Sequence, residues 1–218
     1  MKKKLMGLLV CMLLVSTVLP VASVGGRAAQ NMDVKPVKLL LFDQDGSVTQ
    51  EIMTLSGKET FNVWSILSKL VEKIQSAKDY NGVIQTLKNL REKQNNRFIQ
   101  ILTDALMKRK PSMNKLFIVS YGSGYRFNPL KTSEFAVKKR FAFWHYSSKS
   151  PISSSSRTVM VDPYPFQMKV LNGWQLGIMR GFSGVYVYMP DTTSSRYNTF
   201  FIGFASHARG MDIATLLS

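Results

Sequence analysis

Few residues of this 218-residue chain have side chains suited to covalent or acid–base chemistry, and they are thinly spread. There are two histidines, His145 and His207, and one cysteine, Cys11. Serine catalysis needs a hydroxyl raised on a strained turn, as in Gly-x-Ser-x-Gly, with a base beside it. Ser123 stands between Gly122 and Gly124, and Ser183 precedes Gly184, but neither completes that elbow. Ser123, His145 and Asp162 can be drawn as a triad, yet other serines would serve equally well. Two histidines without clustered carboxylates do not form a transition-metal ligand set. Gly122-Ser123-Gly124 also lacks the third glycine and the following helix of a phosphate-cradling loop. What remains is Asp43 and Asp45, two carboxylates directly after the apolar run Val37–Phe42.

Leu39-Leu40-Leu41-Phe42-Asp43-Gln44-Asp45-Gly46-Ser47 resembles the first motif of the haloacid-dehalogenase-like phosphatases, an apolar strand followed by Asp-x-Asp-x-Thr. The resemblance implies that Asp43 attacks phosphorus, that Asp45 acts as acid and base, and that both help hold Mg²⁺. It implies a second motif at Leu116–Ser120, ending in Ser120, a motif lysine at Lys138 or Lys139, and an acidic residue at Asp162. Mg²⁺ and lysine would then offset charge on the transferring phosphoryl group. The implied fold is a parallel sheet with helices between strands. The residues themselves carry a second reading: Asp43-Gln44-Asp45-Gly46 is turn chemistry, with glycine free to take a positive φ. The two readings differ in what Val37–Phe42 pairs with. A hairpin pairs it antiparallel with residues 47–55; the phosphatase pairs it parallel with residues 116–120 and 159–162.

The elements that must position these residues can be read from periodicity. Ser56-Gly57-Lys58-Glu59 fits a capping box, and Phe61, Val63, Trp64, Leu67, Leu70, Val71 and Ile74 then fall largely on one helical face. A second helical tract runs from about Asp79 to Lys108, with the polar patch Glu92–Asn96 as a point of division and Pro111 beyond its end. From Lys115 onward β-branched and aromatic residues dominate. Strands are expected over 116–119, 135–146, 159–161, 166–171, 174–179, 185–189 and 199–204. Asn172-Gly173 reads as a two-residue hairpin turn between the fourth and fifth of these. Along Phe141, Phe143 and His145, alternation sends one set of side chains to a common face. Helices in the first half and strands in the second predict an α+β fold: an N-terminal β-hairpin and two or three helices packed on a mainly antiparallel C-terminal sheet or sandwich.

Lys2, Lys3 and Lys4, the uncharged stretch Leu5–Val24 with Pro20, and the small residues Ala22, Ser23, Gly25 and Gly26 have the layout of a secretory signal peptide. The same stretch is close to the roughly 20 residues that span a bilayer, so a retained anchor is the other reading. Residues 1–26 are thus expected to be signal or anchor, and 27–218 a single exported domain. Cys11 lies inside the apolar stretch, so a cleaved chain has no disulfide and rests on its core.

Lys and Arg number 29 against 13 Asp and Glu, a net charge of +16. Such a surface attracts anionic partners: an envelope polymer, a lipid surface or an acidic protein. Lys138-Lys139-Arg140 is a tight basic triplet in the second half of the chain, too short to read as a nucleic-acid stripe. Aromatic and basic residues meet at Tyr121, Tyr125, Arg126, Lys138, Arg140 and Trp144, which form the expected binding set if the aromatic content is not simply sheet core. Residues Gly122–Pro129, the Asp162-Pro163-Tyr164-Pro165-Phe166 corner and Arg180–Pro190 resemble segments of uncharacterised exported archaeal proteins, a resemblance spanning mainly 116–210 that implies no activity. The expectation is a non-enzymatic exported or cell-surface binding domain without a cofactor, located extracellularly or at the outer face of the cytoplasmic membrane. The alternative is a Mg²⁺-dependent phosphohydrolase using Asp43 and Asp45.

Overall fold

The alternation of side chains along β1 (Val34–Phe42) sends Val37 and Leu39 to one face of a sheet and Leu40 and Phe42 to the other. Both sets are covered, which one layer of helices cannot do. The computed structural model describes residues 34–93, 96–109, 115–124, 141–146, 156–190 and 197–213. Among these, three layers stack. The middle layer is a seven-stranded sheet in the order β2-β1-β8-β9-β3-β5-β6, built from β2 (Val48–Ser56), β3 (Leu116–Gly124), β5 (Arg157–Pro163), β6 (Phe166–Asn172), β8 (Ser183–Pro190) and β9 (Tyr197–Ala205) beside β1. A second sheet has the order β10-β7-β4, with β4 (Phe141–Tyr146), β7 (Gln175–Arg180) and β10 (His207–Asp212). Every strand pairing described is antiparallel. The α+β expectation therefore holds, with helices on one face of the large sheet and a small sheet on the other.

The helices are α1 (Gly57–Gln75), α2 (Tyr80–Lys93) and α3 (Arg97–Lys108). The capping box forms as read: the Ser56 hydroxyl accepts from the Glu59 N–H, and Glu59 Oε2 accepts from the Ser56 N–H at 2.8 Å. Those hydrogen bonds hold the Glu59 carboxyl below its ordinary range. The polar patch does divide the second tract, and Asn96 caps α3 by accepting from the N–H groups of Phe98 and Ile99. The buried faces of the three helices join Val119, Val159, Val185, Phe200 and Phe204 in the larger core. The smaller core lies between the sheets and includes Ile118, Trp144, Tyr146, Met160, Leu171, Tyr186 and Phe201.

The structure corrects two readings. Asn172-Gly173 is not a hairpin turn. Gly173 does take a left-handed φ of 68°, but β6 pairs with β5 in the large sheet while β7 pairs with β4 and β10 in the small one. The chain turns a corner there from one sheet into the other, and on β7 Gln175 accepts from the Trp144 indole while Gly177 leaves room for its ring. The strand β10 has no β-branched signal in His-Ala-Arg-Gly-Met-Asp. Its inward residue Gly210 has no room for a side chain, because a Cβ there would meet Leu171 at 2.5 Å and Trp144 at 3.0 Å. Residues 1–26, Tyr125, Arg126, Lys138, Lys139 and Arg140 lie outside the described residues.

Candidate functional site

The carboxylate pair sits on a hairpin turn. Residues Phe42 and Val48 are partners across it, the Asp43 N–H donates to the Ser47 carbonyl at 2.9 Å, and Gly46 takes a φ of 91°. Asp45 Oδ1 accepts from the Ser47 N–H at 2.8 Å, a local turn-closing bond. Asp43 Oδ1 pairs with Arg109 Nη2 at 2.8 Å. Arg109 caps α3 from inside the protein: its side chain is only 6% exposed, its Nε donates to the Phe42 carbonyl at 2.8 Å, and its Nη1 donates to the Ala105 carbonyl. A buried guanidinium requires such partners, and a cation at a helix C-terminus also meets the negative end of the helix dipole. Gln44 closes the arrangement by donating to the Arg109 carbonyl at 3.1 Å. Asp43 thus anchors the turn to α3.

The juxtaposition implied by the phosphatase resemblance is not made. Asp43 directly follows β1 and Asp162 lies on β5, four strands across the sheet in the order β1-β8-β9-β3-β5, about 19 Å at the usual strand spacing. Ser120 is fully buried on β3, three strands from β1, with its hydroxyl bonded to Tyr146 Oη at 2.9 Å and Thr158 Oγ1 at 2.6 Å. Among the described residues no group of three or more His, Cys, Asp or Glu side chains stands close enough to hold a metal ion. With Asp43 Oδ1 committed to Arg109 and Asp45 Oδ1 to the turn, the residues present do not fit the oxygen-rich site that Mg²⁺ takes.

The aromatic binding set also changes. Trp144 is fully buried between the sheets, and Tyr121 is buried with its ring edge-on to Trp64 at 5.8 Å. Neither ring presents a face to solvent. Trp144 Nε1 donates to Gln175 Oε1 at 3.3 Å, and the Thr158 hydroxyl donates to the same oxygen, so Ser120, Tyr146, Thr158, Gln175 and Trp144 form one buried network. Burial pushes the Tyr146 phenol up to about 12, and hydrogen bonds to Ser120 and Thr199 only partly oppose it. This network binds the two sheets together.

The exposed counterpart is the outward face of the same small sheet. The register aligns three rows across β4, β7 and β10: Phe141, Arg180 and His207; Phe143, Ile178 and Arg209; His145, Leu176 and Met211. Phe141, Phe143, Leu176, Ile178 and Met211 are each exposed by 37–45%. Two arginines accompany them and no carboxylate does. The Arg180 guanidinium stands over the Phe141 ring at 5.7 Å, and the His145 ring meets Trp174 edge-on at 5.8 Å. Partial burial holds the His145 imidazole below its ordinary range. The outermost Cα positions span about 10 by 14 Å at standard strand geometry. An open cleft of about 850 Å³ adjoins the face, lined by Phe143, Ile178 and Arg209 of the small sheet and by Leu116, Met160, Asp162 and Lys169 of the large one.

A second hollow of about 430 Å³ lies where strands leave one sheet for the other. Gly181, with a φ of 64°, turns the chain from β7 into β8, and Ser206 turns it from β9 into β10 with both its N–H and its hydroxyl donating to the Arg180 carbonyl at 2.9 Å. Lys115, Arg180, His207 and the Asp43 turn line this hollow, over Phe42 and Phe182. Sequence reasoning found the Phe141–His145 alternation but missed Ile178, Arg180, Arg209 and Lys115, which only the pairing of distant strands brings together. No family model, curated protein or solved structure matches this chain.

Proposed function

We propose that this chain is an exported, non-enzymatic binding domain that docks on an anionic envelope surface through the outward face of its small sheet. One observation carries the reading: a three-by-three array holds five exposed large apolar side chains and two arginines, with no carboxylate. An antiparallel sheet with one face on the core ordinarily turns polar residues to water on the other. Apolar patches that depart from this rule mark interaction sites, and the cations select an anionic partner. The net charge, +16 for the whole chain and +13 without Lys2, Lys3 and Lys4, draws the domain to such a surface. The N-terminal segment supports delivery outside the cytoplasm or tethering at the outer face of the membrane.

A second copy of the chain is a poor occupant, because face-to-face stacking would oppose Arg180 and Arg209 with the same charges. The testing experiment is attachment of the purified protein to phosphatidylglycerol-containing vesicles and to polyglutamate at low and physiological salt. The expected result is attachment to at least one, weakening several-fold as salt rises. Absence of attachment to both at low salt, or attachment indifferent to salt, would overturn the reading.

A further inference from the structure

We infer that the hollow between Lys115, Arg180 and His207 is a headgroup site for an anionic phospholipid, with the apolar rows beside it lying against the acyl region. The inference rests on the docking reading above and names the partner of that face. Arg180 belongs to both features: it ends the outward row Phe141–Arg180–His207 and forms a wall of the 430 Å³ hollow. The cationic hollow and the apolar array are therefore continuous. This is the order of charge and hydrocarbon that a lipid presents, with phosphate at the rim and chain beyond.

The charge around the hollow favours a phosphate. Lys115 and Arg180 are the lysine and arginine on its lining, and the Arg180 guanidinium reaches from there over Phe141 on the outward face. The carboxylate on the lining, Asp43, is already paired with the nearly buried Arg109. Size agrees as well, since small-ligand sites commonly measure about 300–1,000 Å³. The aromatic floor of Phe42 and Phe182 is held by their edge-on contact at 5.7 Å, and Phe182 in turn sits over the Gly184–Gly203 cross-strand pair. The site is thus built on packed strands and two sheet-to-sheet corners. A free phosphate offers the same charge to Lys115 and Arg180 but no chain to lay on Phe143 and Ile178. That difference separates the two sources.

The test follows backbone amide NMR shifts while the full chain is titrated with dihexanoylphosphatidylglycerol or with inorganic phosphate. The short-chain lipid is expected to shift Gly181, Ser206 and His207 together with Phe143 and Ile178. Inorganic phosphate is expected to shift only the first three, and more weakly. Lys115→Ala and Arg180→Ala should each weaken binding to phosphatidylglycerol vesicles by about fivefold, the usual worth of one cation near a lipid surface. Lys115→Glu should weaken it further, with an unchanged melting temperature in each variant. If the Lys115 variants bind vesicles like the wild type while apolar substitutions on the face abolish binding, the headgroup site is wrong and the docking reading stands. If the wild type ignores vesicles but captures polyglutamate, the partner is an acidic protein or polymer and the lipid assignment falls. Equal phosphate and lipid shifts, confined to the hollow, would make it a free-anion site and overturn the proposal too.

Discussion

The two faces of the small sheet share the same three strands and the same alternation, yet they solve opposite problems. The inward face matches its partner atom by atom. A Cβ at Gly177 would stand 2.0 Å from Trp144 Cζ2, and one at Gly122 would stand 2.5 Å from the Tyr146 ring, so each glycine on one strand makes room for an aromatic ring from another. The outward face carries comparably large side chains that are each left 37–45% exposed, with Arg180 the cation over Phe141. Residues that are apolar in both registers of a strand have two different employments: one specifies the fold, and the other is available to a partner. The comparison predicts that inward substitutions change stability and outward ones change attachment.

The largest effect is expected at the inward face. Trp144→Ala removes a fully buried indole and its bond to Gln175, and should destabilise the protein by about 3–5 kcal/mol in denaturant unfolding. Gly177→Ala forces that indole to move, at a cost of about 1–3 kcal/mol by the same measurement. A comparable loss, about 1–3 kcal/mol, is expected for Arg109→Met, which strips the Phe42 and Ala105 carbonyls of their donor and leaves Asp43 unpaired. At the outward face, Phe143→Ser and Ile178→Ser should each alter stability by only about 0.5 kcal/mol, as surface changes do.

The pH responses are smaller and have opposite signs. His145 is harder to protonate when folded than the 6.5 of its free form, so the unfolded chain takes up the proton first. That contribution is complete above pH 6.5 and is lost as pH falls below it, and His145→Asn should flatten this acid limb of the melting-temperature profile. Tyr146 ionises near 12 when folded and near 10 when free. Its contribution is complete below pH 10 and is lost as pH rises, and Tyr146→Phe should shrink the alkaline limb that Tyr80 and Tyr186 share.

Local signals in the sequence were reliable where one segment decides its own structure. Ser56 and Glu59 cap α1 because both partners lie within four residues, and Asp43–Gly46 turns because Gly46 supplies the positive φ. The alternation of Phe141, Phe143 and His145 was also visible, though not which of its two faces met water. Signals failed where tertiary pairing overrode them. Asn172-Gly173 has hairpin chemistry, but Trp144 draws the following strand into another sheet. Trp144 and Tyr121 stood in the conditional binding set, and they prove to be the sheet core that was its other reading, because composition does not distinguish a ring in a core from a ring on a platform. Strand β10 was hidden because packing beneath Trp144 and Leu171 demands Ala208 and Gly210, residues with little strand signal. The outward array spans three strands separated by up to some sixty residues, so no contiguous motif announces it.

The most direct test of the outward face as a docking surface compares the wild type with the Phe143→Ser/Ile178→Ser variant. Co-sedimentation with phosphatidylglycerol vesicles would be measured beside the melting temperature of each protein. The account requires the variant to keep its melting temperature to within a few degrees and to lose most of its sedimentation. A variant that melts like the wild type and still sediments with the vesicles as the wild type does would contradict it.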